Sequence, residues 1–247
     1  MRFTSNTTEQ VSEILRAVGV KDFSELVANI PSAGAFKPKS GGVLKDGLSE
    51  MEVAARLKAL AARNKGSEDM PCFLGAGSYR HFVPAAVNAL ITRGEFLTAY
   101  TPYQPEASQG TLQATFEFQS FIAELYGMDA ANASLYDGAS ALAEAAILAL
   151  RETGRQKVLV SSAVHPEYRR TLRTFLANYE IVEIPCENGV TSAAKTAQLC
   201  DGTVSCVLMQ NPNFFGCIED CAAISDIAHK AGALSVVSAN PLAATLL

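Results

Sequence analysis

The chain has 247 residues and a formal net charge of −5, with 49% hydrophobic and 18% charged residues. This much apolar material supports a sizeable core and argues against a disordered or fibrous protein. The acidic balance offers no basic field to a nucleic-acid backbone or an anionic lipid surface, and no apolar run reaches the roughly 18 residues of a membrane span.

Residues 1–66 are predicted to form a helical arm, and residues 67–247 a larger domain. Apolar residues recur at helical spacing from Val11 to Val18, and capping patterns at Asp22 and Ser49 predict two further helices. Between them, the segment SAGAFKPKSGG is rich in proline and glycine, which oppose regular structure. It is predicted to be either a linker or an extended strap.

The segment TAYTPYQPEASQG, residues 98–110, is predicted to be an ordered irregular loop, because each proline removes a donor and restricts the preceding residue. Two interpretations stay open: a rigid surface turn, or a ligand-facing loop. In the second, the polar contacts come from Tyr100, Tyr103, Gln104, Glu106 and Gln109. A helix is predicted to begin at Gly110 and to end at Gly127.

From about Gly127 onward, short β-branched runs alternate with amphipathic segments. The runs that begin at Val158, Ile181, Val204 and Leu234 are typical of buried strands. Helices are predicted after Asp137, after Pro166 and from Ile224 to Gly232. This alternation predicts an α/β architecture of three layers, in which helices cover both faces of a mostly parallel sheet.

Working groups in such sheets gather at the carboxyl ends of the strands. The polar residues there are Ser161, Ser162, His165, Asn211, Ser238 and Asn240. The helix start Asp137–Ser140 could cradle a phosphate, but Asp137 favours a helix cap, since its charge repels an anion. His165 could stack on a ring or cap its own helix, and its residue type favours the cap.

Six cysteines are scattered along the chain without a CxxC pair, which favours reduced thiols in a reducing compartment. The N-terminus MRFTSNTTEQ lacks the apolar core of a signal peptide, so we expect a cytoplasmic protein. We expect no metal site, because no second ligand pair accompanies Cys217 and Cys221.

Three long motifs resemble the N-terminal region of the glycine-cleavage-system P-protein family, glycine dehydrogenase (decarboxylating). They are FLGAGSYRHFVPAAV, RGEFLTAYTPYQPEASQGTLQATFEFQ and ELYGMDAANASLYDGASALAEA. The tyrosine-rich spelling and Tyr136-Asp137-Gly138 are closest to the first, or alpha, subunit of the family's two-subunit form. The resemblance covers essentially the whole chain.

The resemblance implies a large domain with the fold-type-I fold of transferases that depend on pyridoxal phosphate. It also implies a reaction in which glycine loses its carboxyl as carbon dioxide and its aminomethyl group passes to the lipoyl arm of the H-protein. The family continues beyond Leu247, so we expect a truncated fragment, the N-terminal portion of an alpha subunit with an incomplete sheet.

Such an enzyme requires a lysine to anchor the cofactor and, usually, an acid beside its ring nitrogen. Residues Ser238 to Asn240, where the resemblance places the acid, include no Asp or Glu, and Lys195 and Lys230 lie in or beside predicted helices upstream. This chain is therefore not expected to bind pyridoxal phosphate covalently on its own, and the resemblance implies that the partner beta subunit binds it covalently. This chain alone is expected to be inactive and is assigned no catalytic residue.

The resemblance also implies two groups of site residues. An aperture toward glycine or the cofactor of the beta subunit is lined by Tyr100, Thr101, Tyr103, Gln104 and Glu106. A vestigial cofactor pocket contains Asp137, Gly138, Ala139, Ser140, His165 and Asn211. Two alternatives remain: a noncatalytic module that stabilises a catalytic partner chain, or a self-contained aminotransferase-like enzyme.

Overall fold

A computed structural model describes residues 6–30, 47–66, 69–73, 75–77, 79–97 and 101–246. The chain divides into two compact units, Met1–Phe73 and Leu74–Leu247. The predicted strap SAGAFKPKSGG lies outside the described residues. No helix in the described ranges is long and apolar enough to cross a bilayer.

The first unit contains the three helices that the sequence predicts. They are α1 (Thr8–Val18), α2 (Phe23–Leu26) and α3 (Glu50–Ala61). Asp22 accepts the Glu25 N–H, and Ser49 forms a capping box with Glu52. These side chains satisfy donors that a helix start leaves free, so the predicted caps are confirmed.

The second unit begins with α4 (Ala85–Ile91), α5 (Gly94–Leu97) and α6 (Pro105–Tyr126). Because α6 starts at Pro105, the prediction of an irregular loop up to Gly110 is wrong for its second half. Proline at the first helical position has a suitable φ and lacks only an N–H that would be unpaired anyway. The helix is kinked at Ser108, which leaves helical geometry at φ −129° and ψ 19°.

The rest of the second unit alternates helices and strands. In chain order these are α7 (Gly138–Thr153), β1 (Lys157–Ser161), α8 (Pro166–Phe175), β2 (Glu180–Ile184), β3 (Cys186–Glu187), β4 (Val190–Thr191), α9 (Ala193–Leu199), β5 (Val204–Asn211), α10 (Cys221–Lys230), β6 (Leu234–Ala239) and α11 (Pro241–Ala244). Strands β2, β1, β5 and β6 form a parallel sheet in that order, and β3 and β4 form a short antiparallel hairpin. All four predicted strands are confirmed.

Alternate residues of the central strands enter two separate cores. Val158 and Val160 of β1 pack with α7 and α8, whereas Leu159 packs with Ile224 and Ala228 of α10. Both faces of the parallel sheet are therefore covered, which is why its strands are apolar throughout. The predicted three-layer α/β fold is confirmed.

Candidate functional site

The start of α7 and the start of α8 lie together beside the carboxyl edge of the sheet. A Cβ atom added to Gly138 would lie 2.4 Å from the Tyr168 hydroxyl oxygen. The His165 ring centre lies 5.1 Å from that of Tyr168 and 4.9 Å from that of Phe214. The fold thus brings together two parts of the predicted vestigial pocket that are separated by 27 residues in the chain.

Asp137 closes the N-terminus of α7. Its Oδ1 accepts the Ser140 N–H at 2.7 Å and the Ser140 hydroxyl at 2.6 Å, and the Ser140 hydroxyl oxygen accepts the Asp137 N–H at 3.2 Å. These hydrogen bonds, first from the Ser140 hydroxyl and then from its backbone N–H, lower the pKa of the Asp137 carboxyl. As the sequence predicts, a negative charge caps the helix start where a phosphate would need free donors.

His165 caps α8, as its residue type predicts. Its Nδ1 accepts the Glu167 N–H at 3.1 Å, and its own backbone N–H donates to the Gln210 side-chain oxygen at 2.9 Å. Because Nδ1 is an acceptor, the neutral ring carries its proton on Nε2. The imidazole is held between the Tyr168 and Phe214 rings.

The carboxyl end of β1 faces the interior. Ser161 is fully buried, its hydroxyl lies 2.7 Å from the Thr191 hydroxyl, and its oxygen also accepts the Ala163 N–H. The Ser162 hydroxyl donates to Cys186 Sγ at 3.0 Å. Ser161, one of the polar residues expected among the working groups at the strand ends, is therefore closed to a ligand, because its buried hydroxyl is satisfied within the protein.

Asn211 belongs to a buried network centred on two residues that the sequence analysis missed, Asn213 and Glu219. The Glu219 carboxylate accepts the Thr191 N–H at 2.9 Å and the Asn213 amide at 2.8 Å. The Glu219 N–H donates to Asn211 Oδ1 at 3.1 Å. Asn213 Oδ1 also accepts two N–H groups of its own loop. Asn213 and Glu219 therefore order this loop with one further contact from Asn211, and the polar NPN sequence at the end of β5 was the available signal.

The predicted aperture lies at the start of α6. Tyr103 is 85% exposed, Gln104 is the residue before the helix, and Glu106 lies exposed in its first turn. Thr101 is also exposed, and Tyr100 lies outside the described residues. Contrary to the predicted irregular loop, Glu106 is helical, so its side chain projects from the first turn of α6.

The carboxyl end of β6 does not fit a covalently held pyridoxal phosphate. Asn240 follows the strand, and its Oδ1 accepts the Leu242 N–H at 2.9 Å to cap α11. Lys230 ends α10, and the Lys195 amine donates to Gln198 within α9. This edge thus offers such a cofactor neither an acid at Ser238 or Asn240 nor an uncapped helix start at Asp137.

Comparison with known proteins identifies one family across the whole chain. The family model described as glycine cleavage system P-protein matches residues 1–247. A protein of Desulfitobacterium hafniense named probable glycine dehydrogenase (decarboxylating) subunit 1 is 47% identical over 249 residues, covering 100% of this chain and 55% of that protein. A protein of the same name from Lysinibacillus sphaericus is 49% identical over 248 residues, with the same two coverages. The chain thus spans about half the length of these relatives.

Solved structures agree with this assignment of the fold. A crystal structure of glycine decarboxylase (P-protein) of the glycine cleavage system, in inhibitor-bound form, is 48% identical and superposes with a TM-score of 0.81. The match covers 99% of this chain and 54% of that chain. A sphingosine-1-phosphate lyase of Burkholderia pseudomallei shares the fold at 18% identity and a TM-score of 0.58, covering 84% of this chain and 51% of its own.

Proposed function

Because the chain belongs to the glycine cleavage system P-protein family, we propose that it is part of subunit 1 of a glycine decarboxylase. The proposed reaction removes the carboxyl of glycine as carbon dioxide and transfers the aminomethyl group to the lipoyl arm of an H-protein. The observation that carries this proposal is the 47% to 49% identity to subunit 1 proteins over the whole chain.

We propose that the partner beta subunit binds pyridoxal phosphate covalently, and that this chain completes the active site without anchoring the cofactor. When bound, the cofactor acts as an electron sink for the carbon that loses its carboxyl. Two features of this chain support the division. Asp137 caps the helix start that would hold a phosphate, and residues Ser238 to Asn240, at the end of β6 and just after it, include no acid.

In this proposal the start of α6 faces glycine or the cofactor of the beta subunit. Tyr103 and Glu106 are exposed, so their polar groups are available to a ligand or a partner. Tyr100, Thr101 and Gln104 belong to the same proposed aperture, and His165 and Asn211 to a pocket that no longer holds a cofactor.

The decisive experiment mixes full-length subunit 1 with the beta subunit and a lipoylated H-protein, and measures exchange of labelled carbon dioxide into glycine. Exchange only in the complete mixture supports the proposal, and its absence refutes it. Borohydride reduction then locates the cofactor by mass spectrometry. Attachment to a beta-subunit lysine supports the division of labour, and attachment to a lysine of this chain contradicts it.

The alternative, a noncatalytic module that stabilises its partner, is favoured by the same capped helix start at Asp137. Isothermal titration of the beta subunit with this subunit, run beside the exchange assay, separates the two functions. Binding without any effect on the rate favours the stabilising module.

A cytoplasmic location is also part of the proposal, and it is supported by six cysteines that are all free thiols.

A further inference from the structure

Helix α8 presents three arginines to an open depression of about 490 Å³. Arg169 and Arg173 are one helical turn apart, and Arg170 adjoins them. Their side chains are 19%, 51% and 73% exposed, respectively. The depression is lined by Ala76, His165, Pro166, Glu167, Arg169, Arg170, Arg173 and Phe214.

The arginines outnumber the carboxylates that pair with them. Arg169 and Arg173 both contact the single carboxylate of Glu183, the first at 2.7 Å, and Arg170 contacts Glu167 at 3.4 Å. The three guanidinium groups therefore carry one more positive charge than the two carboxylates neutralise, although the formal net charge of the chain is −5. Each guanidinium has five N–H groups, so the exposed Arg170 and Arg173 keep donors that face solvent. Arg169 also donates from Nε to the Val164 carbonyl.

One end of the depression is aromatic. The His165 and Phe214 rings meet edge to face at 4.9 Å. Since Nδ1 of His165 accepts the Glu167 N–H, the neutral imidazole offers an Nε2–H donor. Aromatic side chains beside guanidinium donors match a ligand that combines an apolar body with an oxyanion.

We propose that this arginine depression binds a small organic oxyanion, with its carboxylate or phosphate on the α8 arginines and its apolar body beside the His165 and Phe214 side chains. The volume is within the roughly 300–1,000 Å³ typical of small-molecule sites. Planar guanidinium groups bind such oxyanions through paired hydrogen bonds. The depression shares His165 with the pocket proposed above to have lost its cofactor, but the arginines of α8 hold the oxyanion, so this proposal does not depend on the decarboxylase function.

Isothermal titration of the full-length protein with benzoate and with inorganic phosphate tests the proposal. We expect saturable binding of at least one probe. Tighter binding of benzoate identifies a ring carboxylate as the preferred ligand, and tighter binding of phosphate identifies the oxyanion alone. Failure of both probes to bind saturably overturns the proposal.

Arg170→Gln and Arg173→Gln are each expected to weaken binding at least fivefold, because each removes a charged donor. Arg170→Lys keeps the charge but loses the planar fork and should weaken binding less. Arg151→Gln, an exposed change on α7 outside the depression, is the matched control. Arg170 is the decisive position because its exposed side chain makes folding defects negligible, as circular dichroism can verify. Equal affinities in wild type and Arg170→Gln would overturn the proposal.

Discussion

Asp137 and Ser140 cap α7 reciprocally: the Asp137 carboxylate accepts two hydrogen bonds from Ser140, and Ser140 Oγ accepts one from the Asp137 N–H. This exchange places a fixed negative charge at a helix start that faces Tyr168 and His165. The same position in a phosphate-binding helix requires open donors. The cap therefore stabilises the fold at the expense of anion binding.

The Asp137 cap predicts a pH-dependent contribution to stability. The folded-state pKa lies below the ordinary value of 3.8, so the contribution is fully present well above pH 3.8. It declines as the pH approaches that value and is lost as the pH falls through the lower folded-state pKa. Urea denaturation of wild type and Asp137→Asn from pH 7 to pH 3 should show a stability difference that shrinks with acid. A constant difference would contradict the cap.

Gly138→Ala is expected to destabilise the protein by about 1 kcal/mol, because the new methyl group would overlap the Tyr168 hydroxyl. The tyrosine must shift, although its ring packs against the core and against His165. Gly110→Ala, in open space within α6, is the control and should be neutral or slightly stabilising. Chemical denaturation measures both, and equal effects would show that Tyr168 moves freely.

The elements that the sequence predicted correctly are those with a strong local pattern of apolar residues. The strand runs at Val158 and Val204 are apolar on both faces, so buried parallel strands were the consistent interpretation. The start of α6 was missed because Pro105 was read as a helix breaker, whereas it occupies the first helical position. The helix predicted after Pro166 is confirmed as α8, which ends at Phe175 because Leu176 adopts φ −106° and ψ 36°.

The candidate site was less predictable because its polar contacts join distant parts of the chain. The caps at Asp137 and His165 act within three residues, and the sequence predicted both. The Glu219 carboxylate instead accepts the N–H of Thr191, which is 28 residues away in the hairpin formed by β3 and β4. Its burial depends on tertiary packing, which no local pattern encodes.

Glu219→Gln is expected to destabilise the protein by about 1–3 kcal/mol. The carboxylate accepts two N–H donors, and an amide would turn one of its acceptors into a donor that faces them. Glu187 is exposed in the β3–β4 hairpin that Glu219 contacts. Glu187→Gln should change the free energy of unfolding by less than about 0.5 kcal/mol. Urea denaturation measures the free energy of unfolding of both variants. Similar losses of stability would show that the Glu219 carboxylate has no special role.

Cys206 is expected to resist alkylation in the native protein. Burial raises the pKa of its thiol to about 12, so almost no reactive thiolate exists at pH 8. Cys72 is exposed and should be modified first. Iodoacetamide labelling followed by mass spectrometry should find Cys206 modified only after denaturation. Fast native labelling of Cys206 would contradict its burial in β5.

Tyr103→Phe and Glu106→Gln are each expected to lower glycine-dependent carbon dioxide exchange about tenfold in the complete mixture, the equivalent of one lost polar contact of roughly 1.4 kcal/mol. Assembly with the beta subunit should persist, because both side chains are exposed and the α6 backbone keeps its start at Pro105. Glu124→Gln, an exposed change at the far end of α6, is the control. Titration of the beta subunit measures assembly beside the exchange rate. If both variants exchange carbon dioxide at the wild-type rate, the aperture lies elsewhere. If assembly with the beta subunit falls together with the exchange rate, the α6 start contacts the partner rather than the substrate.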